Sequence, residues 1–256
     1  MKVHTESWRK QLSRSPEERE RRNAIARNVR SLRRFERKHV LHTDYNEKRS
    51  RPLSEYGLYL AGLEGTLAYV NRLPIRRMVD VGAGTGRAFL KLSRTPKYRR
   101  IAFEGVGIVQ EPGIVLPKYH ITSAQVMRGF QEKSVGAVLS VFGPTHYCPI
   151  PPVMDKLHAL LIPGGLIKLV VMKYVPGHAL NDEQKERVKA VTHFFRSHHY
   201  DFAYCDGAHA GRTGSFRTFL GIKRRQGARD QKSIAAKIMR HDLKSVRKFT
   251  RGYLPR

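Results

Sequence analysis

At 256 residues with 40% hydrophobic side chains, the chain can bury one α/β core with extensions but hardly two, and it is not disordered throughout. Its 49 Lys and Arg against 21 Asp and Glu give a net charge of +28 and an isoelectric point near 10.7, which disfavours a small neutral ligand as main partner and favours a polyanion, nucleic acid above all. Two cysteines exclude a disulfide framework and a four-cysteine zinc site, pointing to a reducing compartment such as cytoplasm or mitochondrial matrix, and no apolar run approaches the about 20 residues of a spanning helix.

The excess is +9 over residues 1–54, +9 over 55–222 and +10 over 223–256, so the whole body is basic. The first 15 residues hold no apolar core of a secretory signal, although Lys2, Arg9, Lys10 and Arg14 with the single acid Glu6 are compatible with an organelle transit peptide. Ser15, Pro16 and Glu18 announce a helix start. Beyond it Ile25, Val29, Leu32, Phe35 and Val40 form a stripe at helical spacing, with Arg30, Arg33, Arg34 and Arg37 on the remaining faces. That arrangement fits either a docked surface helix or RNA contact. Residues 42–52 are a polar linker, and Glu55 to Leu73 returns to helical spacing, with Leu58, Leu60, Leu63, Leu67 and Val70 inward and Pro74 as its stop.

Met78 to Phe89, MVDVGAGTGRAF, is the stretch the rest serves. Val79 and Val81 suit one face of a buried strand, Gly82, Gly84 and Gly86 a turn tight enough for backbone to touch a ligand, and a helix follows from about Arg87 through Leu92. Arg87 stands where a dinucleotide turn wants its third glycine or alanine, which argues against NAD. Further strands are expected at Ile101–Val109, Ile121–Met127, Val135–Phe142 and Leu166–Tyr174, with helices over Pro151–Leu161 and Asp182–His198. Tyr200–Tyr204 and Phe216–Ile222 make a final antiparallel pair. From Asp230 a basic amphipathic helix sets Ile234, Ile238, Met239, Leu243, Val246 and Phe249 against Lys237, Lys244, Arg247 and Lys248. Contact with the core or a partner should hold it, and its removal is expected to spare the folded domain. His193, His198 and His199 lack carboxylates or cysteines at ligand spacing, so no metal is expected.

The glycine turn, together with VLSVFGPTHY (138–147) and LIPGGLIKLVV (161–171), resembles the class I S-adenosylmethionine-dependent methyltransferases over residues 55–224. The resemblance implies an α/β, Rossmann-like seven-stranded sheet flanked by helices, with basic helical extensions at 1–54 and 225–256. It implies S-adenosylmethionine as cofactor, with Asp80, Gly82, Gly84 and Gly86 at the turn. The family's ribose-binding acid aligns with Val109, leaving Glu111 as a substitute or a surface carboxylate, and its adenine-side acid is replaced by Gln125. VLSVFGP, PGG and KYVPG also resemble FtsJ-like ribose methyltransferases, which places Lys173 on a catalytic lysine while Val141 stands at the aspartate. His146 is a second candidate base and Tyr147 a stacking residue, or both pack for structure. Cys148 lacks the Pro-Cys context of a cytosine C5 nucleophile.

The expectation is a methyltransferase-fold protein acting on structured RNA, ribosomal RNA or a ribosomal particle first, with cationic residues gathered beside the cleft. The alternative is a degenerate relative kept as an assembly factor, motivated by Val109, Gln125 and Val141. A small-molecule methyltransferase is the reading that the charge disfavours.

Overall fold

Met78, Val79 and Val81 are exposed by no more than 2%, because β1 (Arg77–Val81) runs in the middle of a sheet and pairs in parallel with β2 (Ala102–Gly107) on one side and β4 (Val135–Val141) on the other. The computed structural model describes residues 53–108, 114–174, 181–208, 215–224 and 233–250. The basic extension at 1–52, with Arg30, Arg33, Arg34 and Arg37, lies outside the described residues, as do Val109 and Glu111. Seven strands stand in the order β3-β2-β1-β4-β5-β7-β6, adding β3 (Tyr119–Ile121), β5 (Leu161–Tyr174), β6 (Asp201–Ala208) and β7 (Ser215–Ile222). β7 runs antiparallel to both β5 and β6, and the other pairs are parallel.

Every residue of β4 is buried, as a central strand covered on both faces requires. One face packs under α5 (Ile150–Leu160) and α6 (Asn181–Ser197) through Val153, Leu157, Val191 and Phe195. The other packs under α1 (Leu53–Tyr59), α2 (Glu64–Val70), α3 (Arg87–Ser93) and α7 (Ile234–Thr250) through Leu60, Leu67, Phe89 and Ile238. A four-residue helix, α4 (Pro144–Tyr147), follows β4.

Two expected elements differ. Helical spacing from Glu55 to Leu73 is interrupted at Ala61 and Gly62, whose φ angles are 55° and 95°, so α1 and α2 are separate helices. The cause is α7: a Cβ on Gly62 would stand 2.2 Å from the Asp242 carbonyl oxygen, and the Asp242 carboxylate caps α2 by accepting the Gly65 and Thr66 amides at 2.6 and 3.1 Å. The third strand ends at Ile121 rather than spanning Ile121–Met127. There the Ser123 carbonyl accepts the Val126 and Met127 amides, folding the segment into a turn.

Asp242 also pairs with Lys168 of β5 at 2.7 Å, both side chains having no exposed surface. The Lys168 ammonium donates further to the Gly62 carbonyl and to Thr66 Oγ1, at 2.8 and 3.2 Å, while Thr66 Oγ1 donates to Asp242 Oδ2 at 2.6 Å. Burial pulls the lysine pKa below its usual range, against the opposing pull of Asp242. The start of α7 is fixed separately, the Asp201 carboxylate accepting from Ser233 Oγ and from the Ala235 amide. The C-terminal helix is therefore part of the core, which corrects the expectation that it could be removed without loss.

On the opposite face His158 sits against Tyr200, with 2.9 Å between Nδ1 and the hydroxyl. Burial first, then the positive charge of Lys223 and the neighbouring His198, bring its pKa from 6.5 down to about 4. The unfolded chain takes up this proton near 6.5 and the folded chain only near 4, so acidification through that window favours unfolding and stability is fully kept only above it. Thermal unfolding is expected to show Tm falling from pH 6.5 to 4, less steeply in His158→Gln. Identical slopes in the two proteins would remove His158 as the cause.

Candidate functional site

The carboxyl ends of β1, β2, β3 and β4 meet at the glycine turn, where an open α/β sheet places its ligand. Gly82, Gly84 and Gly86 all have left-handed backbone, with φ of 89°, 57° and 77°, a region that costs side-chain-bearing residues. Space agrees with conformation. A Cβ on Gly82 would stand 2.9 Å from Gly143 Cα in the loop after β4, and one on Gly86 would stand 2.6 Å from Leu116 Cβ. The Gly82 and Ala83 amides donate to the Val106 carbonyl at 2.9 and 3.1 Å, so those two donors hold the turn to β2 rather than a ligand. Asp80 is buried, 2% exposed, two residues before Gly82 in β1.

The register Val81↔Val106 puts Gly107 next in line beside Gly82 at the end of β2. No acid fits there. A Cβ on Gly107 would lie 2.2 Å from the Tyr119 hydroxyl, and Gly105 meets the same ring at 2.7 Å. Tyr119 lies across both glycines and donates to the Gly84 carbonyl at 2.8 Å. Two glycines and a tyrosine thus occupy what the resemblance assigns to a ribose-binding carboxylate. The signal in the sequence was the Gly105-x-Gly107 spacing.

Beyond β3 the Thr122 amide donates to the Gly107 carbonyl at 2.9 Å, which brings the Ser123–Val126 turn alongside the end of β2. Gln125 stands in that turn with both its amide oxygen and its amide nitrogen buried and unpaired. A buried amide with neither end satisfied is uncommon in a folded protein, and a ligand edge that both donates and accepts would satisfy it. Phe142, at the end of β4, is a second unusual feature. It holds a φ of 58° while packed edge-on against Tyr59 and Phe216, a strained conformation for a bulky residue of the kind that gathers at functional sites.

The turn and Gln125 fit the cofactor that the resemblance implies, whereas among the described residues the end of β2 supplies no acid. Losing a hydrogen bond to a charged group costs about 1.5–3 kcal/mol, which weakens binding without forbidding it. Lys173, near the carboxyl end of β5, pairs with Asp206 of β6 at 2.8 Å. Asp206 is also held by Arg217 Nε at 2.7 Å, and Arg217 in turn covers the Tyr204 ring. The Arg217 hydrogen bond, followed by that of Lys173, brings the Asp206 pKa to about 2 against the opposing effect of burial. Lys173 is an ion-pair partner there, and the Lys-Asp-Lys arrangement of FtsJ-like enzymes is not assembled among the described residues. Val141 is buried in β4, and Cys148 is buried as well. His146 lies on α4, three residues beyond Gly143. Among the described residues no cluster of three metal-ligating side chains occurs, and no helix is long and apolar enough to cross a membrane.

No family model and no curated protein matches the sequence. Solved structures similar to it include phosphoethanolamine N-methyltransferase 2 of Haemonchus contortus, at 13% identity over 74% of this chain and 60% of that one, TM-score 0.49. A putative sarcosine dimethylglycine methyltransferase of Galdieria sulphuraria follows at 12% identity, 66% and 86% coverage and TM-score 0.49. The cyclase SpnF is similar to the same degree, with 12% identity, 67% and 80% coverage and TM-score 0.48. Two methyltransferases and a cyclase at such identities leave activity open. By its own strand order, its antiparallel β7 and its left-handed glycine turn, the chain has the class I methyltransferase fold.

Proposed function

We propose that the chain binds S-adenosylmethionine at the glycine turn and transfers its methyl group to structured RNA, ribosomal RNA first. The observation that carries the cofactor half is the backbone of Gly82, Gly84 and Gly86, bent as only glycine tolerates, next to a Gln125 amide with nothing to bond. Bound there, S-adenosylmethionine supplies an activated methyl group. Asp80 and the turn of the three glycines would hold it, Gln125 would read its adenine edge, and His146 of α4 would accept a proton from the acceptor group. The RNA half rests on the charge of +28 and on the exposed Lys237 and Lys244 of α7.

Calorimetry with S-adenosylmethionine tests the first half. Micromolar binding is expected, lost by more than about tenfold in Gly82→Ala, where the new Cβ meets backbone. Gln125→Ala is expected to weaken binding about two- to tenfold with folding stability unchanged or raised, since the deletion removes two unsatisfied atoms. No heat at millimolar cofactor would end this reading.

A second reading, an assembly factor that keeps the fold without the chemistry, draws on Gly107 under Tyr119 and on Lys173 tied to Asp206. Incorporation of labelled methyl into ribosomal RNA by the wild type and not by His146→Ala selects the enzyme. Cofactor binding without incorporation selects the assembly factor.

A further inference from the structure

A cationic site lies at the other end of the sheet. Arg77 opens β1 and Gly82 follows its last residue, five steps of about 3.3 Å each, so the two ends are about 16 Å apart. At the Arg77 end a cleft of about 540 Å³ is lined by Pro74, Ile75, Ala102 and the charged residues Arg76, Arg77, Arg100, Lys118 and Glu104. Four cations thus face one carboxylate, and that carboxylate is fully used. Glu104 is 1% exposed and receives Arg77 on both oxygens at 2.8 and 2.7 Å, Lys118 at 3.3 Å and His120 at 2.8 Å. Burial alone would raise its pKa, but the Arg77 and His120 hydrogen bonds bring it below the usual range, so it stays ionised and fixes Arg77 in place.

The remaining cations are left over. Arg76 carries a buried Nε with no partner, and neither Arg76 nor Arg100 forms an ion pair among the described residues. Four cations around one carboxylate on a shallow, open surface leave an excess of positive charge that an added anion relieves. A strand with regularly spaced phosphates presents such anions along an open, cationic surface.

We propose that this basal cleft is a phosphate-binding site for an RNA strand, separate from the glycine turn and independent of the cofactor, with Arg76, Arg100 and Lys118 as its contacts. It rests on the RNA reading above and adds to it a place of contact. An RNA held here runs along the pole away from the cofactor turn. That geometry anchors a large RNA at a distance while another part of it reaches the glycine turn.

The test is RNA binding by the full-length chain against salt, for the wild type and for R100A/K118A, with Arg76→Gln as a second variant. Arg100 and Lys118 are exposed, so their removal leaves the thermal transition in place. Affinity is expected to fall about tenfold near 0.1 M salt and the log-log slope to flatten by about 1 to 2, as the loss of two phosphate contacts dictates. An unchanged affinity and slope in all variants overturns the cleft while leaving RNA binding by other surfaces intact. Absence of RNA binding by the wild type overturns both. Competition separates the sources: displacement of RNA by inorganic phosphate only at high millimolar concentration supports a strand, whereas displacement by micromolar adenosine monophosphate would reassign the cleft to a small phosphate ester.

Discussion

Asp242→Ala is expected to destabilise the protein by about 3–5 kcal/mol, the range for removing one partner of a buried ion pair. The loss has two parts. Lys168 is left charged at zero exposure, and the Gly65 and Thr66 amides at the start of α2 lose their acceptor. Urea unfolding of the full-length chain measures it. A loss below about 1 kcal/mol would mean that water reaches the lysine and that the helix is peripheral. Replacing both partners, Lys168→Met with Asp242→Leu, is expected to recover much of the loss, because the charge no longer has to be desolvated. Truncation before Ser233 should yield an unfolded or aggregated chain, not a folded core lacking an arm.

RNA affinity is expected to drop about a thousandfold between 50 and 200 mM salt. With six or more phosphates engaged, counterion release gives a log-log slope of about −5 or steeper, and a fourfold rise in salt then multiplies to that factor. A chain of charge +28 binds polyanions in any case, so the comparison between RNAs matters as much as the slope. Ribosomal RNA should exceed a homopolymer of equal length at the same salt. A flat salt dependence removes the RNA reading altogether, and equal affinity for the two RNAs removes ribosomal specificity.

Much of the sheet was legible because its strands announce themselves twice, by apolar runs and by the turns between them. Val135–Val141 is buried at every position, and the run of hydrophobic residues said so. The C-terminal helix was legible as a helix but not as core, although the signs were present. Asp242 falls four residues after Ile238 and three after Met239, on the apolar stripe, and Lys168 interrupts the apolar run LIKLVV. Each looks like a blemish alone, and only their meeting across the fold shows that one answers the other. The end of β2 was misplaced because strand pairing, which sets register, is a tertiary fact. Tyr119 could not be seen to lie over Gly105 and Gly107 until β3 was in place beside them. The break at Gly62 was hidden for the same reason, its cause lying 180 residues further on in Asp242.

The carboxylate that completes α2 reaches Gly65 from 177 residues away in the chain, beyond every strand of the sheet. A nascent protein on the ribosome therefore holds a finished sheet sequence whose first helices cannot close and whose Lys168 has no counter-charge. Closure should occur as a late step once Asp242 has emerged, and such distant closure predicts slow folding for the size of the domain.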